Sequence, residues 1–555
     1  MKINIIGAGP AGLYFAILMK KIDPAHDVTI VERDGPNDTF GWGIVFSDKT
    51  FAFLKDSDET SYLDITAAAE SWDNVDVVHR DQRISVRGNE FLGIARITFL
   101  NILHKYCRNL GVDLRFHTNV TTPGRIAELA DCDLLVGGDG ANSLVRQNYS
   151  GFFCPSVDVR RNKYIWLGTR QLFHGLTMIF READAGLFIA HAYKFDKTTS
   201  TFIVECPPET WLKARFEHMP EDETCAYLAE VFKSDLGGHP LLSNNFVRWL
   251  NFPLVKNKRW FHKNIVLLGD ALHTAHFSIG SGTKLALEDA IALAGCFAGH
   301  REESSNSKSQ TSKGSGQALL SPRPSPLLGA SGVGSRRRVE AALAEFERVR
   351  MPVVEKFQDA ALNSLTWLED VQEHLHLEPV PFTYRLMTRS RRISYNRIKR
   401  GDPEFIARYD AWRAQQPSAG PIPAEFLDLF QKKTFAHLAT LMADGTPHVT
   451  SVYVDYDGQH ILINSARGRQ KDINMEKRRH VAIEVPDPDN PNRFLAVRGP
   501  IVEITEQGAD EHLDRLAQRY LNRDKYPDSM RFPGEVRCIY KILPKHVTVW
   551  DPFGR

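Results

Sequence analysis

The 555-residue sequence has no stretch approaching 18 consecutive apolar positions, so it offers no membrane-spanning helix. It also lacks an excess of either charge. Lys+Arg total 69 against Asp+Glu 68, a formal net charge of +1. That balance excludes a global electrostatic mode of binding to nucleic acid or to a membrane and leaves only local basic patches. Cysteine is sparse, with seven residues at 107, 132, 154, 206, 225, 296 and 538. The odd count, the wide spacing and the lack of Cys-x-x-Cys argue against a disulfide framework and a zinc site, so no metal is expected. The chain opens directly on a strand pattern, with no charged segment leading into an apolar core and cleavage site. No internal repeat is visible. These absences predict a cytoplasmic globular protein. A composition of 43% hydrophobic and 25% charged residues agrees.

Three textures follow one another along the chain. Residues 1 to about 300 alternate strand-like and helix-like segments. Residues 301–337 are rich in Ser, Gly, Pro and Lys/Arg, with no apolar period. Such a segment cannot bury enough surface to offset the entropy of ordering, which predicts a disordered insertion. A helical stripe then returns at Val339, Leu343 and Phe346, with Pro352 expected to kink or restart it. The insertion therefore interrupts one module, spanning 1–300 and 338–415, in which about 151–255 is mostly sheet. A second boundary lies near Gln415 to Pro421. Beyond it, the turns Asp444-Gly445 and Asp457-Gly458 separate short alternating runs, a hairpin signal. Residues 422–545 read as a small β module.

The strongest motif comes first. Ile3 to Ile6 form a buried strand, followed by Gly7-Ala8-Gly9-Pro10-Ala11-Gly12 and an apolar helix. A second strand, Val28 to Val31, ends at Glu32, 20 residues after Gly12. Gly7 permits the tight turn, Gly9 lets the backbone approach a pyrophosphate, and Gly12 lets helix and strand pack closely. The helix N-terminus with Pro10 and Ala11 faces the phosphates, and Glu32 can accept from ribose hydroxyls. This motif alone does not separate FAD from NAD. Two later strands end in an acidic turn: Leu134 to Val136 before Gly138-Asp139-Gly140, and Ile265 to Leu268 before Gly269-Asp270. Asp270 can accept from ribityl hydroxyls. The backbone N–H groups of Gly280, Ser281, Gly282 and Thr283 at a helix start can hold an electron-rich isoalloxazine edge.

In this order, the fingerprint, Asp139-Gly140 and Gly269-Asp270 resemble the single-component FAD aromatic hydroxylases, the class of para-hydroxybenzoate hydroxylase. The run Phe40 to Asp48 and the run Gly269 to Lys284 resemble the aryl-CoA hydroxylases for salicylyl-CoA and 2-aminobenzoyl-CoA. Leu375 to Pro379 and Thr388 to Ile393 look like the same subgroup. The tryptophan-hydroxylating enzymes of violacein synthesis share part of the signature. The resemblance covers residues 1 to about 405 apart from the insertion. It implies an α/β Rossmann-like FAD-binding fold with a β-sheet substrate domain. It also implies NAD(P)H as reductant and O₂ as oxidant, with a flavin hydroperoxide delivering one oxygen atom to an aromatic ring. An aryl-CoA thioester is the expected substrate. A free phenol or an indole is the alternative, and a non-catalytic flavoprotein scaffold is a third reading. Leu272 stands where the class leads us to expect a smaller residue.

The resemblance places cofactor contacts at Gly7, Gly9, Gly12, Glu32, Arg33, Arg96, Asp139 and Asp270. His273 and His276 follow Asp270 and are the catalytic candidates, able to hydrogen-bond a ring hydroxyl or amine. Structural histidines are the alternative. His191 and Tyr193 share one face of a strand and are expected to line the pocket. Arg389, Arg391, Arg392, Lys399 and Arg400 form a basic run suited to the phosphates of CoA, or to a solvated helix face.

The C-terminal module resembles the split β-barrel of pyridoxamine-phosphate-oxidase-like proteins, nearest the branch that binds a deazaflavin coenzyme. Asp444 to Val449 and Asn464 to Asn474 carry that resemblance. Ser465, Arg467, Arg469 and Lys471 are the candidates for binding FMN or a deazaflavin phosphate. The resemblance also implies a possible homodimer through this barrel.

Overall fold

The structure is a computed structural model describing residues 1–39, 41–244, 248–280, 282–298, 335–415, 422–532 and 534–552. Phe40, Ser281, the stretch 301–334 of the expected insertion and the boundary segment 416–421 lie outside the described residues. The chain forms two compact units: Met1–Arg392 with Ile398–Phe405, and Ile393–Arg397 with Ile406–Arg555.

The first unit is built on a six-stranded sheet. Its order is Phe261–His262, Ile265–Leu267, Leu134–Gly137, Lys2–Ile6, Asp27–Val31, Asp113–Arg115. All neighbours are parallel except the first pair. The three central strands are apolar runs because helices cover both faces of such a sheet. Helix Pro10–Ile22 starts with proline at its first turn, where a missing N–H costs nothing. It is buried from Ala11 through Lys20, since it lies between the sheet and helix Gly282–Ala298.

A second sheet runs Leu241–Leu242, Pro155–Thr169, Ser200–Cys206, Gly186–Lys194, Leu176–Ala183, Val75–His79, Gln82–Val86. Leu250–Asn257 also pairs with Pro155–Thr169. One face carries an aromatic core of Phe173, Phe188, Phe202, Phe216 and Phe232. Strands Gly43–Ser47, Phe91–Ala95 and Glu70–Trp72 form a small third sheet. Helix Ser335–Glu369 begins inside the segment expected to be disordered, and it continues through Pro352 without a restart. Val339, Leu343 and Phe346 are buried as the stripe predicts. Beyond Pro352 the helix is held by Val354, Ala361, Leu365 and Leu368, all buried, so packing carries it across the missing hydrogen bond. Near its far end, Glu369 is clamped by Arg160 at 2.5 Å.

The second unit is a β-structure of eight strands around a compact core. The long strand Asn490–Thr505 pairs with His480–Asp487, Arg537–Ile542 and His546–Trp550. Both hairpins form where the Asp-Gly turns predict. Ala436–Leu441 pairs with Pro447–Val452, and Val454–Tyr456 with Ile461–Ala466. Gly445 and Gly458 take φ of +85° and +94°, which only glycine adopts freely. All seven cysteines are free thiols. Among the described residues no helix is long and apolar enough to cross a membrane.

Candidate functional site

The glycine loop is a built cradle. Gly7 has φ +105°, and a Cβ there would lie 2.3 Å from the Gly138 carbonyl oxygen. A Cβ on Gly12 would meet the Gly7 carbonyl oxygen at 2.5 Å. These two glycines let the loop close on the neighbouring chain. Gly9 differs: a Cβ there would meet nothing within 4 Å, so its glycine is not required by protein packing. That open space stands before the N-terminus of helix Pro10–Ile22, where a pyrophosphate fits. Glu32 accepts from the Ala8 N–H at 2.7 Å and the Asp34 N–H at 3.0 Å, tying the loop to the strand end. Arg33 is exposed and pairs with Asp34 at 3.1 Å.

Asp270 lies at a strand end. Its side chain is reached by solvent, yet burial raises its carboxyl above the ordinary value, with the Arg96 charge opposing. Both observations hold for a group on the floor of a cleft. Arg96 lies nearby: burial lowers its guanidinium, with Asp270 and then Tyr193 opposing. Its Nε is buried without a hydrogen-bond partner. Gly280 has φ +59°, and a Cβ there would lie 3.1 Å from Val45. Gly282 opens helix Gly282–Ala298, with Thr283 in its first turn, and a Cβ on it would meet nothing. An open glycine cradle, an orphaned arginine and an acid on a cleft floor fit FAD. Asp139 plays another part here. Its carboxylate accepts from Ser143 Oγ at 2.6 Å and from the Leu144 N–H at 2.7 Å, capping helix Leu144–Asn148.

Tyr164 stands between the Asp270 charge and a buried cluster of histidines. Burial, with help from the Asp270 charge, pushes its phenol up to about 12. Its ring lies 5.0 Å from Phe277. Phe277 in turn meets His276 at 4.0 Å and His191 at 5.3 Å between ring centroids. His191 Nε2 is 3.2 Å from Glu205 Oε2. Glu205 is 1% exposed and also accepts from Asn162 Nδ2 at 2.8 Å. Burial alone would raise its carboxyl. The His191 hydrogen bond leads a set of contacts that holds it below the ordinary value. His276 is driven down to about 3, chiefly by burial. The Ser278 N–H donates to its Nδ1 at 3.3 Å, which assigns the proton to Nε2.

The structure separates residues that the sequence groups together. His273 turns away from His276. Its Nε2 is 2.7 Å from Asp289 Oδ2, an ion-pair distance without hydrogen-bond alignment. It borders a cavity of about 220 Å³ with Trp260, Gln358 and Glu355, which none of His191, His276 and Asp270 lines. Asp289 is fully buried and pairs with Arg350, which also holds Glu288. Tyr193 donates its hydroxyl to the Gly43 carbonyl at 2.8 Å. Leu272 is fully buried among core residues. Within the basic run, Arg391 and Arg392 are exposed. Arg389 points inward and donates to Ser364 Oγ, Leu386 O and Ser278 O at 2.6–2.8 Å. Burial pushes its guanidinium down to about 10, with Glu205 opposing.

Glu205, Asn162 and Tyr164 escape a motif reading. The available signal was an acid inside the apolar run Thr201-Phe202-Ile203-Val204-Glu205-Cys206. A buried charge there demands a partner.

In the second unit, Ser465 is fully buried and its Oγ has no partner. Arg467 is engaged by Glu506 at 3.2 Å and by Glu476. Arg469 lies 3.6 Å from Glu535. Lys471 has its ammonium lowered by burial, and the charges of Arg469 and Arg537 add to that. Three cations thus gather beside the start of helix Gln470–Lys477.

Known proteins bear on both units. The family described as FAD binding domain matches residues 1–311, and the pyridoxamine 5'-phosphate oxidase family matches residues 422–551. The chain is 36% identical to a salicyloyl-CoA 5-hydroxylase from a Streptomyces species, over 77% of this chain and 76% of that protein. It is 35% identical to the protodeoxyviolaceinate monooxygenase of Chromobacterium violaceum, over 69% of this chain and 92% of that one. A solved structure of 2-methyl-3-hydroxypyridine-5-carboxylic acid oxygenase shares the fold, with TM-score 0.50 at 16% identity, covering 70% of this chain and 96% of that one. The chain belongs to the FAD-dependent aromatic monooxygenases and carries a C-terminal domain of the pyridoxamine 5'-phosphate oxidase family.

Proposed function

We propose that this enzyme hydroxylates the ring of an aryl-CoA thioester such as salicyloyl-CoA or 2-aminobenzoyl-CoA in the cytoplasm, consuming NAD(P)H and O₂. The observation that carries the reading is the buried cluster of His191, His276 and Phe277, with Tyr164 between it and the Asp270 charge. The 36% identity to a protein named salicyloyl-CoA 5-hydroxylase supports the substrate. A second reading, an indole-type substrate, is favoured by the relative named protodeoxyviolaceinate monooxygenase.

Bound in the cradle, FAD supplies the oxygen-activating redox chemistry. The chain's own residues bind, orient and exclude water. Gly7, Gly9, Pro10, Ala11 and Gly12 hold the pyrophosphate; Glu32 and Arg33 hold the adenosine side. Asp270 and Arg96 hold the ribityl side, and Gly280, Gly282 and Thr283 face the ring edge. Asp139 acts from behind by fixing the helix it caps. His276 touches substrate, and His273, set against Asp289, is a positioning residue. Arg391 and Arg392, exposed, meet the CoA phosphates. In the second unit Ser465, Arg469 and Lys471 hold the phosphate of FMN or a deazaflavin, with Arg467 braced by its acids. We place the hydroxylase module at 1–300 with 338–415, and the barrel, a homodimer contact in this reading, at 422–545.

The test follows NAD(P)H oxidation with salicyloyl-CoA, 2-aminobenzoyl-CoA and the free acids, with mass analysis of products. A product heavier by one oxygen atom from a thioester is the expected result. Stimulated oxidation without oxygen insertion into any of the four refutes the assignment.

A further inference from the structure

His191 and His276 differ in what their free ring nitrogens can do. His191 presents Nε2 to Glu205, a carboxylate held below its ordinary value, so the proton on that nitrogen is the one donated. In the neutral imidazole the lone pair then falls on Nδ1, which makes no hydrogen bond among the described residues. His276 is the reverse. Its Nδ1 already accepts from the Ser278 N–H, so its free Nε2 bears hydrogen. Both rings pack on Phe277, against which an aromatic substrate would stack. Around Phe277 the cluster therefore offers one acceptor and one donor.

The strand register sets this up. His191 pairs with Ile203, and Glu205 with Ile189, so acid and histidine are diagonal neighbours on one face of the sheet. Asn162 occupies Glu205 Oε1 from the next strand, which leaves Oε2 for the imidazole. The three bonds of Arg389 all go to neutral oxygens, and the opposing charge it feels is that of Glu205. A negative charge forming on a bound ligand here has a guanidinium close by.

We propose that His191 and His276 form a donor–acceptor clamp selecting a ring hydroxyl over a ring amine, with Glu205 as the positioning residue that fixes the His191 tautomer. A hydroxyl satisfies both histidines: its O–H donates to His191 Nδ1 while its oxygen accepts from His276 Nε2–H. An aromatic amine donates but accepts poorly, because its lone pair is delocalised into the ring, so His276 is left unmatched. The proton step balances within the site. The O–H bond breaks, the proton moves to His191 Nδ1, and the phenolate keeps the electron pair under the Arg389 charge. No oxidant or reductant enters this step.

The inference deepens the aryl-CoA reading and rests on it only for the thioester tail. The test therefore uses two ligand pairs on the flavin-loaded enzyme: salicyloyl-CoA against 2-aminobenzoyl-CoA, and 4-nitrophenol against 4-nitroaniline. Within whichever pair binds, the hydroxyl ligand is expected to bind at least about tenfold tighter, the size of one well-made hydrogen bond to a charged or polarised partner. Bound 4-nitrophenol is expected to show the phenolate absorption band. Glu205→Gln removes both the band and the preference, Glu205→Asp restores part of each, and retained FAD, identified chromatographically after release, shows that the first unit of each variant is folded. Equal binding within a pair overturns the clamp, as does a preference that survives Glu205→Gln and His191→Gln, or failure of both pairs to bind. If only the nitrophenol pair binds, with the preference intact, the clamp stands and the thioester reading falls.

Discussion

Arg350 gives the sharpest stability prediction. Its guanidinium is 7% exposed and donates at 2.8 Å to both Asp289 and Glu288, each itself buried. Lys284 also pairs with Glu288, and His273 leans on Asp289. Arg350→Met fits the space but strands Asp289 without the guanidinium that hydrogen-bonds it, leaving, among the described residues, only His273 beside it. Removing one partner of a buried pair costs about 3–5 kcal/mol, because the remaining charge stays desolvated. With a denaturant slope of about 3 kcal/mol/M, the urea midpoint falls by about 1 M or more. Release of FAD, separated chromatographically from any FMN or deazaflavin, reports the first unit. If the loss comes from stranded charge, adding Glu288→Gln and Asp289→Asn to Arg350→Met recovers at least half of it. The pH dependence has a definite sign. In the wild type the Asp289 carboxyl lies below its ordinary value, so its contribution is full above that value and is lost as pH falls through the lower folded one. In Arg350→Met burial acts unopposed by the guanidinium, so the mutant's deficit narrows as pH falls. A loss under about 1 kcal/mol, or a triple variant no better than the single one, would refute the reasoning.

Other outcomes follow from the same geometry. Gly9→Ala leaves stability within about 0.5 kcal/mol, since its Cβ meets nothing, yet lowers FAD retention because the methyl occupies pyrophosphate space; thermal melts and flavin titration separate the two. Gly12→Val is the contrast: its Cβ presses on the Gly7 backbone, so it lowers stability by about 1–3 kcal/mol or more as well as binding. His276 stays neutral in the fold down to about pH 3, whereas the unfolded chain takes up its proton near the ordinary histidine value. Folding is therefore disfavoured as pH drops below that value, and His276→Gln flattens the acid limb of the stability curve. In the second unit Arg493, 1% exposed and bonded to Asp487 at 2.8 Å and Asp428 at 2.6 Å, is a second buried hub. Arg493→Met lowers that unit's stability by about 3–5 kcal/mol in chemical denaturation.

What could be read without coordinates was whatever local backbone chemistry determines. Gly7 and Gly12 announce a tight approach in any strand-turn-helix, and the Asp-Gly pairs announce hairpins, because the φ they need is a property of one residue. The position of Asp270 at a strand end is legible for the same reason. The pocket was only half legible. His191 and His276 were singled out, but Glu205 owes its role to the register between two strands, which no short segment encodes. His273 and His276 are three residues apart on an irregular stretch, so no periodicity says which one turns toward Asp289. In the basic run, Arg391 takes φ +58°, and that turn divides inward Arg389 from outward Arg391 and Arg392. Helix Ser335–Glu369 outran its expected start because the side chains packed beneath it, rather than the propensity of its first turn, sustain it.

The pairing of Glu205 with His191 also carries an inheritance rule. A glutamate buried in a strand is tolerable only while its imidazole and amide partners remain, and the imidazole keeps its tautomer only while the glutamate does. Neither residue can drift alone without stranding the other. Descendants of this chain that change ring chemistry should therefore exchange the two together, leaving a correlated pair across the sheet as the trace of a shift in substrate.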